Sequence, residues 1–194
     1  MTELEKMRAG RLYRSDAPEL LELRRRAKEL CGAYNALPPG DRAGMARLAG
    51  KLLGALGEGF CMEAPIRFDY GWNTSIGKNF YANYGLTVLD CAPVTIGDGV
   101  LLGPNVQIYA AAHPIHPAER AAGLEYARPI VIGDGVWIGG GAILCPGAKI
   151  GVGAVIGAGS VVTGEIPPGV VAAGNPCRVL REITEADRMA SGEE

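Results

Sequence analysis

Residues 132–162 read IGDGVWIGGGAILCPGAKIGVGAVIGAGSVV, and an aliphatic side chain falls on every sixth position: Ile132, Ile138, Leu144, Ile150, Ile156 and Val162. Six matches neither the 3.6-residue turn of an α-helix nor the two-residue alternation of a strand. The position after most of these aliphatics is glycine, as at Gly133, Gly139, Gly151 and Gly157, and the fourth position after them is small or β-branched (Val136, Ala142, Ala148, Ala154, Ser160). A repeat of this kind predicts a parallel β-helix. Each hexapeptide is one short side of a triangular coil, the aliphatic residue points inward onto its equivalents in neighbouring coils, and glycine permits the corner.

Upstream, Ile96, Leu102 and Ile108 keep the same period, with Gly97 and Gly103 after two of them and Val100 and Val106 in the small position. The gap from Ile108 to Ile132 is four sixes, but its residues IYAAAHPIHPAERAAGLEY (108–126) break the pattern and contain both histidines of the chain, His113 and His116. A coil extrudes an insertion only at a corner, so residues 109–129 are expected to form an excursion on the surface. The segments GDGVLLG and GVGAVIG imitate half of a dinucleotide-binding fingerprint, but their glycines follow from the hexapeptide corners and no G-x-x-x-x-G-K-[ST] loop occurs.

Toward the amino terminus the period changes. Leu20, Leu23, Ala27, Leu30 and Tyr34, then Met45, Leu48, Leu52, Leu53 and Leu56, fall at helical spacing. Thr2 with Glu5 and Asp16 with Glu19 have the spacing of capping boxes, and Gly10 and Gly32 are candidate stops, although Gly32 also fits the inside of a longer helix. The chain thus divides into a helical cap (1–59), a β-helix (60–166) and a carboxyl-terminal segment with a tail (167–194), in which Pro167 and Pro168 are expected to end the stacking and TEADRMASGEE to be partly disordered.

Composition narrows the function. Nineteen Lys and Arg against twenty-one Asp and Glu give a net charge of −2, which lacks the basic footprint required by nucleic acid or an anionic membrane. The five cysteines (31, 61, 91, 145, 177) are odd in number and contain no C-x-x-C, so reduced thiols in a cytoplasmic protein are expected, with neither a disulfide framework nor a zinc site. The charged start MTELEKMRAG lacks a signal peptide's apolar run, and no stretch is apolar for long enough to span a bilayer.

With the hexapeptides, EKMRAGRLYRSD, FDYGWNTSIGKNFYANYG, HPIHP, VWIGGGAIL and AGNPCRVLREI in view, the chain resembles the hexapeptide-repeat acyltransferases, and within them the maltose and galactoside O-acetyltransferase group, nearest the maltose type. The resemblance implies a left-handed β-helix, a homotrimer with active sites between subunits, and transfer of acetyl from acetyl-CoA to a sugar hydroxyl without a metal. It places His113 at the catalytic base, and imidazole, titrating near neutral pH, suits removal of a hydroxyl proton. The backbone N–H of Gly140 becomes the oxyanion donor, where galactoside enzymes have serine, and Glu125, where they have methionine, is either a carboxylate partner of His113 or a solvated loop acid.

The same resemblance gives the acceptor to Asp16, Asp69 and Asp90, since a carboxylate accepts several hydroxyl hydrogen bonds. Asp16 is equally a candidate helix cap. Cys91, after Asp90, stands where galactoside enzymes carry a second aspartate. Trp137 is assigned to the acceptor as a stacking platform or to a subunit contact, and His116 to a structural or substrate-edge role. Coenzyme positions carried over are Asn83, Gly140, Ala158, Thr163, Gly164, Arg178 and Arg181. Arginines pair with CoA phosphates, and Gly164 departs from the lysine usual there. Three readings compete with a maltose- or glucose-directed enzyme: a galactoside or other small-hydroxyl acetyltransferase, a covalent acyl-enzyme on Cys91, and a non-catalytic trimeric sugar-binding scaffold. A three-histidine zinc enzyme on the same fold is excluded by the count of two histidines.

Overall fold

A computed structural model describes residues 1–189. The period-six side chains do line the interior: Ile96, Leu102, Ile108, Ile132, Ile138, Leu144, Ile150, Ile156 and Val162 are all buried. Ile132 pairs with Ile150, Ile138 with Ile156 and Leu144 with Val162, each one coil of three hexapeptides further on. Short parallel strands thereby stack into three faces of five, six and, with one antiparallel strand at its end, seven strands, so that five coils are complete and a sixth is begun. Each inward aliphatic side chain stabilises the stack by roughly 1.5–3 kcal/mol through burial.

The coil begins well before Ile96. Ile76 pairs with Ile96, Ala82 with Leu102 and Val88 with Ile108, and an earlier coil carries Leu56, Met62 and Phe68 beneath them. These coils are two residues longer than three hexapeptides. The extra residues sit at the corner between the five- and six-stranded faces, where Asp90 accepts from the Tyr70 N–H at 2.8 Å and the Thr74 hydroxyl at 3.0 Å.

The glycines serve two purposes. Those directly after the inward aliphatic avoid a clash: a Cβ on Gly97 would lie 2.2 Å from Asp134 Oδ1, and one on Gly151 would lie 2.3 Å from the Pro168 nitrogen. The left-handed turn comes two residues later, at Gly99 (φ +64°), Gly135 (φ +63°) and Gly153 (φ +67°), with Asn105 (φ 58°) as a tolerated substitute.

Helix α1 (Glu3–Arg8) has the expected capping box, Thr2 Oγ1 accepting from Glu5 N and Glu5 Oε2 from Thr2 N, and it ends at Gly10 in a Schellman motif. The Asp16–Glu19 capping box does not form. Ala17 is the cap of α2 (Pro18–Asn35), Asp16 pairs with Arg14 at 3.2 Å, and Glu19 instead accepts from Leu4 N at 3.0 Å, tying α1 to α2. Gly32 lies inside α2. Leu20, Ala27, Cys31 and Tyr34 form the buried stripe of α2, Tyr34 donates to the Met62 carbonyl at 2.8 Å, and Asn35 bonds both backbone groups of Ile66. Helix α3 (Arg42–Leu52), capped by Asp41, completes a cover over the first coil.

The excursion after Tyr109 is ordered. Strands β2 (Ala111–Ala112) and β3 (Leu124–Ala127) pair antiparallel around a short helix α4 (Pro117–Ala121), and β1 (Tyr13–Arg14), from the amino-terminal cap, adds to the free edge of β3. At the other end, Pro167 and Pro168 do not stop the stacking. They form the corner over Gly151, whose missing side chain makes room for them. Strand β4 (Val170–Ala173) continues the seven-stranded face, and β5 (Arg178–Glu182) folds back antiparallel on it. Of the tail, Glu185–Asp187 form a single 3-10 turn, and residues 190–194 lie outside the described range.

Candidate active site

His113 follows β2 directly, so the excursion's own sheet fixes where its imidazole stands. Its Nδ1 lies 3.3 Å from the Leu124 carbonyl oxygen. A carbonyl only accepts, so Nδ1 carries the hydrogen and Nε2 keeps its lone pair. Nε2 is 3.9 Å from Glu125 Oε1, and the imidazole is 57% exposed while the carboxylate is 17% exposed. Glu125 is therefore no solvated loop acid. Its other oxygen accepts from the hydroxyl of Tyr13, a fully buried residue, at 2.9 Å. His116 is exposed and caps α4 through its backbone alone. Arg120 donates to the Pro114 and Ile115 carbonyls and holds the tip of the excursion.

Below the excursion, on the same edge of the prism, lies Asp69. Burial raises its carboxyl pKa, opposed by the positive charges of Arg24 and Lys28. Arg24, which sequence reasoning passed over as one of three consecutive arginines, donates to Tyr70 and to the Ser15 carbonyl and brings a cation to this edge. Asp16, two residues past β1, is exposed and held ionised by Arg14, which lowers its pKa.

Asp90 departs from its expected role. It is fully buried, with both carboxylate oxygens engaged by Tyr70 and Thr74, and so has no free edge for a sugar. Its function is to staple two widened corners. The Cys91 thiol is buried 3.8 Å from Asp69, and burial pushes it up to about 12, so it does not supply the thiolate an acyl-enzyme requires.

The coenzyme positions gather on a different edge. Asn83, Gly140 and Ala158 occupy corners between the seven- and five-stranded faces, with the Gly103 corner between the first two. Gly139 N–H and Gly141 N–H donate to the Ile156 and Pro104 carbonyls, whereas Gly140 N–H has no backbone acceptor among the described residues. Arg178 is exposed near the foot of this edge. Arg181 is paired through both terminal nitrogens with Asp187, whose carboxyl it holds down to about 2. Thr163 and Gly164 instead follow the last strand of the five-stranded face, on the same edge as His113 but on the opposite side of the excursion from Asp69. Trp137 stands 54% exposed on the seven-stranded face, level with Leu101 and Val155. One chain thus separates His113 and the nearby carboxylates from Asn83 and Gly140 by a full face. Among the described residues no group of three or more His, Cys, Asp and Glu side chains is placed to hold a metal, and no helix is long and apolar enough to cross a membrane.

Hexapeptide coils beneath a helical cap, with an imidazole on an extruded corner, define a hexapeptide-repeat transferase. The model of the maltose acetyltransferase hexapeptide capping motif matches residues 6–57, and that of the bacterial transferase hexapeptide, six repeats, matches 129–164. The chain is 45% identical to galactoside O-acetyltransferase of Escherichia coli over 97% of its own length and 93% of that protein. A maltose O-acetyltransferase from Clostridium difficile superposes with TM-score 0.93 at 47% identity, over 95% of this chain and 99% of that one. A galactoside acetyltransferase in complex with coenzyme A superposes with TM-score 0.94 at 44% identity, over 100% and 97%. The chain belongs to the maltose and galactoside O-acetyltransferase family of hexapeptide-repeat acetyltransferases.

Proposed function

We propose that this protein transfers acetyl from acetyl-CoA directly to a hydroxyl of a small sugar of the maltose or glucose type, with His113 as general base. The observation that carries this reading is the tethered imidazole, with Nδ1–H on the Leu124 carbonyl and Nε2 exposed beside Glu125. Nε2 takes the hydroxyl proton as the oxygen forms its bond to the thioester carbonyl. The resulting imidazolium is stabilised by Glu125. The tetrahedral oxyanion accepts from Gly140 N–H, the carbon–sulfur bond breaks, and the departing coenzyme thiolate takes the proton back from His113. Asp16 and Asp69 accept hydrogen bonds from the other sugar hydroxyls, and Asn83, Ala158, Thr163, Gly164 and Arg178 border the coenzyme.

The separation of the base edge from the Gly140 edge supports an active site shared between copies of the chain. Leu101, 47% exposed, and Trp137 form with Tyr81 and Val155 an apolar ladder on the seven-stranded face, and we assign it to contacts within a homotrimer. Residues 1–59 act as the cap, 60–166 as the catalytic prism and, of 167–194, the described residues 167–189 as its closing segment. Five unpaired thiols fit a reducing, cytoplasmic setting.

The test is release of coenzyme thiol from acetyl-CoA with a panel of maltose, glucose and galactosides, with His113→Ala alongside. Loss of the base should lower kcat/KM by about 10²–10⁴. Equal rates for the two proteins would overturn the mechanism, and a preference for galactosides would move the acceptor to the other branch of the family.

A further inference from the structure

Tyr13 lies 112 residues before Glu125, in the amino-terminal cap, yet the two are direct cross-strand partners of β1 and β3. Its ring is fully buried. Its hydroxyl meets Glu125 Oε2 at 2.9 Å, while the opposite oxygen of the same carboxylate faces His113 Nε2 at 3.9 Å. We infer that Tyr13 is a positioning residue for the reaction: its hydroxyl holds the Glu125 carboxylate in the orientation that presents one oxygen to His113. This rests on the reading of His113 as the base.

A carboxylate on a surface excursion has free torsions, and nothing in β3 itself prevents Glu125 from turning to water. A fixed donor on one oxygen removes that freedom. Tyrosine suits the task because burial, with the nearby Cys91 and Glu125, raises its pKa strongly, so it remains a donor at neutral pH. The titratable groups around this cluster are few. Cys91, from the prism corner, faces the Tyr13 hydroxyl, and burial keeps it a neutral thiol. Asp69, on the corner below, feels the Glu125 charge and is countered by Arg24 and Lys28. His113 is the remaining neighbour, reached only through Glu125. Tyr13 thus makes the helical cap part of the active site: a single hydroxyl conveys the cap's position to the base.

The experiment compares Tyr13→Phe, Glu125→Met and the double variant. Phenylalanine keeps the buried ring and removes only the oxygen. Tyr13→Phe should lower kcat about tenfold and leave KM for acetyl-CoA within about twofold. It should also shift the acid limb of the kcat/KM profile to lower pH, because an imidazolium without an adjacent carboxylate loses its proton more readily. In the Glu125→Met background the same change should have no further effect on kcat or on the acid limb. An independent readout needs no turnover. The His113 imidazole titration followed by NMR, with His116→Ala to assign the two histidines, should move to the same lower midpoint in Tyr13→Phe as in Glu125→Met. An unmoved titration in Tyr13→Phe, or an equal loss of kcat in both backgrounds, would overturn the inference. If His113→Ala retained full turnover, the reading of the base would fail while the titration still decided the Tyr13 link. If Tyr13→Phe did not fold, an unmoved titration in Glu125→Met would overturn it.

Discussion

At the scale of single residues, Gly164 makes the sharpest prediction. A Cβ there meets nothing within 4 Å, and the backbone needs no positive φ, so a long side chain fits without strain. Of the two arginines expected at the coenzyme's phosphates, Arg181 is already paired with Asp187. Gly164→Lys is expected to lower KM for acetyl-CoA about threefold to tenfold and leave kcat unchanged, as steady-state kinetics will show. An unchanged KM would remove this position from the coenzyme's reach. His113 and Asp69 were legible as candidates because histidine is scarce in the chain and because the FDYG stretch resembles the family. Tyr13 and Arg24 were not. Nothing in the local sequence singles either one out, and only the pairing of β1 with β3 and the approach of α2 to the prism give them a role. Asp90 was misread because sequence position says nothing about which way a carboxylate turns, and here it turns inward to unsatisfied corner amides.

At the scale of elements, the hexapeptide announced the strands and their inward residues, since an 18-residue coil repeats its chemistry in register. The two preceding coils fall largely within the β-helix expected from residue 60, but their repeat does not show in the sequence because each carries two more residues at one corner, which shifts the phase of the aliphatics without disturbing the stacking. The prolines misled for a similar reason. A residue that would break a strand is harmless in a corner, provided the residue beneath has no side chain. That dependence is testable at Gly151, which lies under Pro168. Gly151→Ala is expected to destabilise the protein by about 1–3 kcal/mol in urea unfolding. Gly99→Ala has open space around its Cβ and pays only for its positive φ, so its cost is expected to be about 1 kcal/mol. Equal losses at the two sites would mean that close packing between coils is not what selects glycine after the aliphatic residue.

At the scale of the whole molecule, the proposed division of the site between two prism edges predicts that activity depends on assembly. Leu101→Lys places a charge in the middle of the apolar ladder on the seven-stranded face without touching the core. It is expected to yield a folded monomer by light scattering, with acetyl transfer lost, whereas the parent chain is expected at three times the chain mass. A trimeric Leu101→Lys protein would place the subunit contact on another face. The antiparallel docking of β1 on β3 has a separate consequence for the order of events during biosynthesis. Residue 13 leaves the ribosome long before residue 125, and closing so long a loop costs entropy that only the finished prism repays. The cap and coils can therefore acquire their structure while the corner that carries His113 is still unmade, so recovery of activity after dilution from denaturant should lag behind recovery of far-UV dichroism.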